Sequence, residues 1–139
     1  METHYLLLPM LAQVALTGYA IIVMRLRREW AVREEGLNPL YFKTKQVGEP
    51  PRKMKQADDL VDNLFQTPLI FFAGCLAAMS LNLVDEILVG LASLYVVFRI
   101  AHAHQILGPN KIMRRSKLWI SSNITTGIIW LWLTKLAFL

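Results

Sequence analysis

ILVGLASLYVVFRIAHAHQIL, residues 87–107, decides how this chain folds. It is an apolar run of spanning length interrupted only by Arg99, His102 and His104. On a soluble helix those three residues would face water and mean little. The rest of the chain removes that option. Residues 5–24 form a stretch of 20 without a charge, residues 63–84 a stretch of 22, and residues 118–134 a stretch of 17 closed by Lys135. About 20 apolar residues in a helix cross a hydrocarbon layer of about 30 Å. Four such runs in 139 residues leave little chain for a water-facing domain. The reading is all-α: a polytopic membrane protein with one four-transmembrane-helix domain over residues 1–139. Its helices are expected at about 5–28, 57–83, 86–107 and 114–138, with a cytoplasmic loop at 29–56.

Charge placement supports the same topology. Fifteen Lys and Arg against ten Asp and Glu give a net charge of +5. Nine of the basic residues fall in 25–55 and four in 111–117, whereas residues 1–24 and the connection around Asp85 and Glu86 have none. The positive-inside rule puts both basic loops in the cytoplasm and both chain ends on the other side. That distribution accounts for the charge, so membrane lipid is the expected surface partner and no nucleic acid is. The first run is longer than a signal h-region and no Lys or Arg precedes it, so it reads as a permanent helix. Cys75 is the only cysteine and excludes an intrachain disulfide; it reads as a buried thiol.

In chain order, Ala12, Ala15, Thr17 and Gly18 offer the first helix a close-packing surface. At its inner end Arg27 and Arg28 read as headgroup anchors, while Arg25, the innermost, is a site candidate. The EWAVREEG segment can continue that helix until Gly36, and the rest of the loop, with its Asn-Pro and Pro-Pro steps, reads as irregular: a linker or a lid. Asn63 and Gln66 share a face of the second helix, followed by a Pro68 that membrane helices tolerate. Arg99 lies nine residues above the Gly108 turn, about 13 Å at the α-helical rise. That is too deep for a short snorkel, so it faces the bundle interior, with His102 beside it at i+3 and His104 turned away. A salt bridge to Asp62 is one structural use for it. Ser121, Ser122, Asn123, Thr125 and Thr126 read as interhelical packing or hydrogen-bonding residues, and Trp130 with Trp132 as an aromatic belt.

Arg25, Asn63, Gln66, Arg99, His102, Arg115, Ser116 and Trp119 all fall in the basic half of the chain's four helices. Such a layer of cationic and amide donors suits a small anionic ligand that combines carboxylates with amides. A lipophilic small molecule could join it from the bilayer. There is no metal-ligand cluster, P-loop, G-x-G-x-x-G or G-x-S-x-G, and no obvious nucleophile. A nucleophile would therefore arrive with a bound cofactor.

The residues Arg25-Leu26-Arg27, Asn63-Leu-Phe-Gln66, Arg99-Ile-Ala-His102 and Arg115-Ser116, in this order on successive helices, resemble the MAPEG family, the membrane-associated proteins of eicosanoid and glutathione metabolism. The resemblance implies a homotrimer that binds glutathione between subunits near the cytoplasmic face, and a bacterial-type branch in an inner membrane. It implies that Arg25, Asn63, Gln66, His102, Arg115 and Ser116 hold the tripeptide, with Arg115 stabilising its thiolate for transfer to a lipophilic electrophile or reduction of a lipid peroxide. The chain departs from the enzymatic pattern in having Gln66 for Glu, Ile106 and Trp119 for Tyr, and Asp62 for Arg. A non-catalytic lipid-binding or scaffold protein of the same fold is the alternative.

Overall fold

The computed structural model describes residues 2–139 and, within them, is helical with no strand. After a 3-10 turn at Thr3–Leu6 come α1 (Leu7–Arg33), the one-turn α2 (Tyr41–Thr44), α3 (Arg52–Gln66), α4 (Pro68–Ser80), α5 (Glu86–Leu107) and α6 (Ile112–Phe138). Thr67 alone separates α3 from α4, because Pro68 has no N–H to continue the bonding ladder. Three segments among the described residues are long and apolar enough to cross a membrane: Thr3–Arg33, Arg52–Ser80 and Glu86–Leu107.

Two helix bounds differ from expectation for physical reasons. The second long helix begins at Arg52, earlier than residue 57, because Pro51 fixes an extended start and Met54, Ala57, Leu60, Val61 and Leu64 make a buried stripe from there on. The first runs on to Arg33 and ends before Gly36, whose φ is +68°. The loop that follows is not featureless. Leu37 is buried with Ala31 and Met54, and its N–H bonds the Ala31 carbonyl at 3.0 Å.

α5 and α6 pack along their lengths, α1 lies on α3 and α5, and α4 leans on α6. The buried side chains divide into stacked clusters. At the end away from the basic loops, Phe71, Cys75, Leu88, Ala92, Tyr95, Ile129 and Leu133 form one apolar cluster, with Phe71 and Tyr95 stacked at 4.1 Å. Nearer the basic end, Leu16, Ala20, Leu60, Leu64, Ala103 and Ile106 form a second. Gly74 gives the first cluster its tight α4–α6 contact, since a Cβ there would meet the Trp130 ring at 3.3 Å.

Among the described residues the hydroxyls of α6 make no bond to another helix. Ser122, Thr125 and Thr126 each bond a carbonyl of their own helix, Trp119, Ser121 and Ser122 respectively. A hydroxyl in an apolar setting satisfies itself most easily on the preceding turn, so these residues serve α5–α6 packing by being small. Nor are Arg27 and Arg28 left to the headgroups. Arg28 Nε bonds Asp58 Oδ1 at 2.9 Å, and Arg27 bonds the carbonyls of Lys53 and Leu107 at 2.8 and 3.1 Å. They clamp α1 to α3 and to the negative end of α5.

At the opposite end Asp85 caps α5 through the Leu88 N–H at 2.8 Å and accepts from Trp132 Nε1 at 2.9 Å. Asp85→Ala removes both bonds and is expected to lower stability by about 1–3 kcal/mol. Unfolding by detergent titration, followed by helical circular dichroism, measures it; an unchanged midpoint would refute the latch.

Candidate functional site

A charged side chain inside a hydrocarbon-level bundle must find a partner, and Arg99 is fully buried. Its partner is Asn63: Arg99 Nη2 donates to Asn63 Oδ1, tying α5 to α3. The expected bridge to Asp62 does not form. Asp62 is one residue, about 100° of helix, away from Asn63, and its carboxylate stays exposed. The rotation of α3 that buries Leu60 and Leu64 turns Asn63, and not Asp62, towards Arg99.

Arg99 also fixes what Asn63 can offer. With Oδ1 taken, the amide NH2 remains as a donor. Asn63 faces a cavity of about 440 Å³ lined by Asn63, His102, Ile112, Arg115, Ser116 and Trp119, drawn from α3, α5 and α6. His102 reaches it because it is one turn below Arg99; its ring is buried, with Nδ1 unpartnered among the described residues. Arg115 and Ser116 reach it because the turn at 108–111 ends at α6, whose first turn carries them inward. Asn110, at φ +48°, closes that turn and accepts from Arg115 Nη1 at 3.4 Å.

The structure thus gathers five of the eight candidate residues in one cavity: Asn63, His102, Arg115, Ser116 and Trp119. Arg99 stands behind the wall as the residue that orients Asn63. Two candidates lie elsewhere in the single chain. Gln66 is exposed and outside the lining, and Arg25 is exposed on α1, paired with Glu29 at 3.2 Å. His104 faces outward, as its spacing from His102 requires. Sequence reasoning passed over Ile112 and Asn110. Asn110 carried a visible signal, a Gly-Pro-Asn turn next to a candidate arginine, whereas the exposed Ile112 carried none.

The cavity wall holds no carboxylate. Its donors are the Asn63 amide, the Arg115 guanidinium and the Ser116 hydroxyl, and its rim is apolar, with Ile112 and Trp119 both exposed. Among the described residues no three His, Cys, Asp or Glu side chains cluster in a way that could hold a metal ion. The arrangement is suited to a small anion with an apolar neighbour.

All-helical build, three candidate spans and a buried polar layer define the class: an integral membrane protein with an internal polar site. The MAPEG family model matches residues 5–135, nearly the whole chain, and the chain belongs to that family. No curated protein and no solved structure matches it significantly.

Because Asn63 and Arg99 depend on each other, Asn63→Leu is expected to cost about 3 kcal/mol by stranding a buried guanidinium. The pair Asn63→Leu with Arg99→Met is expected to lie closer to wild type than Asn63→Leu alone. A double-mutant cycle by detergent unfolding measures the coupling, and simple additivity of the two losses would refute it.

Proposed function

We propose that the cavity holds glutathione, and that the protein is a glutathione-dependent transferase or peroxidase acting on lipophilic electrophiles or lipid peroxides. The carrying observation is the gathering of Asn63, His102, Arg115, Ser116 and Trp119, far apart in sequence, around one carboxylate-free cavity. Glutathione brings two carboxylates and two amides, which match guanidinium, hydroxyl and amide donors. In this reading Arg115 is the catalytic residue. A guanidinium beside a thiol favours its charged form and lowers its pKa, and the thiolate is the nucleophile. The apolar rim of Ile112 and Trp119 gives a lipophilic substrate, entering from the bilayer, a place beside the sulfur.

The site is completed by a second copy of the chain in a homotrimer. Arg25 and Gln66, exposed and outside the cavity of their own protomer, serve a ligand held between subunits. α6 is the fourth span: it has 27 residues, and its polar hydroxyls are satisfied internally. Both termini face away from the cytoplasm, and the membrane is a bacterial inner membrane, in keeping with the two basic loops.

One observation favours the non-catalytic reading, a lipid-binding or scaffold protein of the same fold. Ile106 stands where enzymatic relatives of this pattern carry a tyrosine, and it is buried in the apolar cluster with Leu60 and Ala103. It brings no hydroxyl to the cavity.

Calorimetric titration of the purified protein with glutathione separates the readings. Saturable binding is expected, weakened roughly tenfold or more in Arg115→Ala by loss of a charge-assisted hydrogen bond. Absence of binding at millimolar ligand overturns the glutathione reading. If Arg115 stabilises the thiolate, the ultraviolet thiolate absorbance of bound glutathione rises at a lower pH than that of free glutathione. In Arg115→Ala that rise moves to higher pH; an unmoved curve removes Arg115 from the chemistry.

A further inference from the structure

Six buried polar atoms have no hydrogen-bond partner among the described residues and are used by nothing proposed above: Gln13 Oε1 and Nε2, Thr67 Oγ1, Tyr95 Oη, and Arg99 Nε and Nη1. They come from α1, the α3–α4 break and α5, and the two apolar clusters place them at one level. Gln13 stands midway on α1 between Met10 of one cluster and Leu16 of the other. Thr67 stands likewise between Phe71 and Leu64, and Arg99 between Val96 and Ala103. Tyr95 is one turn from Arg99 on the same face of α5, and its hydroxyl lies beside that of Thr67.

The layer is shut off from solvent within a single chain. Gln13 and Arg99 are 0% exposed and Tyr95 is 1% exposed. A buried amide with neither end bonded and a buried guanidinium with two free nitrogens are both costly unless something else meets them. Water can meet the amide and the hydroxyls. It cannot cancel the charge of Arg99, and among the described residues no carboxylate pairs with that guanidinium. The free groups are also mostly donors: the guanidinium N–H groups, the Gln13 NH2 and two hydroxyls that can turn to donate. Donors around an uncancelled positive charge call for an anion. Closure between apolar clusters restricts it to a small monovalent one, because a polyatomic or divalent anion loses more hydration on entry than one guanidinium returns.

We propose that this layer binds a chloride ion inside each chain, beside Arg99. The ion accepts from a free guanidinium N–H, from the Tyr95 and Thr67 hydroxyls and from the Gln13 NH2. The Nε–H and Nη1–H groups point apart across the planar guanidinium, so the one turned away from the ion donates to Gln13 Oε1. Nη2 keeps its bond to Asn63. This site is separate from the cavity of Asn63 and Arg115 and does not rest on the glutathione reading.

Full-length protein in detergent, exchanged into sodium gluconate, is dialysed against radiolabelled chloride. One retained chloride per chain is expected at millimolar concentration, displaced by bromide and not by sulfate. Tyr95→Phe keeps the ring that stacks on Phe71 and loses only the unpartnered hydroxyl. Its chloride affinity is expected to fall roughly tenfold, the effect of one lost hydrogen bond to a charged group. Arg99→Met is expected to abolish retention. Circular dichroism verifies that each variant is folded, and Tyr95→Phe decides the matter if Arg99→Met is not. Saturating glutathione is expected to leave the chloride in place; displacement assigns the ion to the other cavity and overturns the separate site. Two further results overturn the proposal. No chloride retained by the wild type makes water the occupant of the layer, and unchanged affinity in folded Tyr95→Phe makes the ion a counter-ion of the basic loops.

Discussion

Everything in the basic half of this bundle depends on the burial of one guanidinium. Arg99 is fully buried between apolar clusters, and its only hydrogen bond among the described residues is to Asn63. Among the described residues no carboxylate neutralises it. Such a group needs polar neighbours, and Tyr95, one turn away on α5, buries a hydroxyl without a partner among the described residues, as Gln13 on α1 and Thr67 at the α3–α4 break bury polar atoms. The fold therefore carries a polar layer between its two main apolar clusters. The clusters supply the packing energy that lets the layer exist.

That layer also explains why the α3–α4 segment breaks at Thr67. Pro68 withholds an N–H from the ladder at the level where the bundle is polar, and membrane helices accept a freed carbonyl only where neighbouring groups or water can meet it. On the basic side of the break α3 is clamped by Arg27 and Arg28, and on the other side α4 is held by Gly74 against Trp130. The two halves of one apolar segment thus have different tasks: α3 presents Asn63 to the cavity, and α4 packs.

Most of this was legible in the residues. Runs of uncharged residues place helices by length alone, because the bilayer removes every alternative to a helix for them, and the i,i+3 spacing of Arg99 and His102 put both on the inner face. The early start of α3 was less visible, since its buried stripe of Met54, Ala57 and Leu60 is interleaved with charged residues. Partner choice was not legible. Asp62 and Asn63 are adjacent, and charge complementarity alone favours the aspartate. Only the rotation of α3 against α1, fixed by Arg28 with Asp58 and by the buried stripe, decides that Asn63 faces Arg99. Likewise a serine or threonine reads the same in sequence whether it bonds its own helix or a neighbour.

The electrostatics of the cavity follow from what Arg99 lacks. A guanidinium whose charge is not cancelled within the protein biases its surroundings towards anions, and its burial away from solvent lets that bias extend further than it would in water. Asn63 transmits this in a directional form: its oxygen is held by Arg99, so the group left facing the cavity is a donor. Arg115 and Ser116 add donors from the other wall, and no lining side chain contributes a carboxylate. Nothing in the lining offsets that bias, so the cavity favours anionic over cationic occupants.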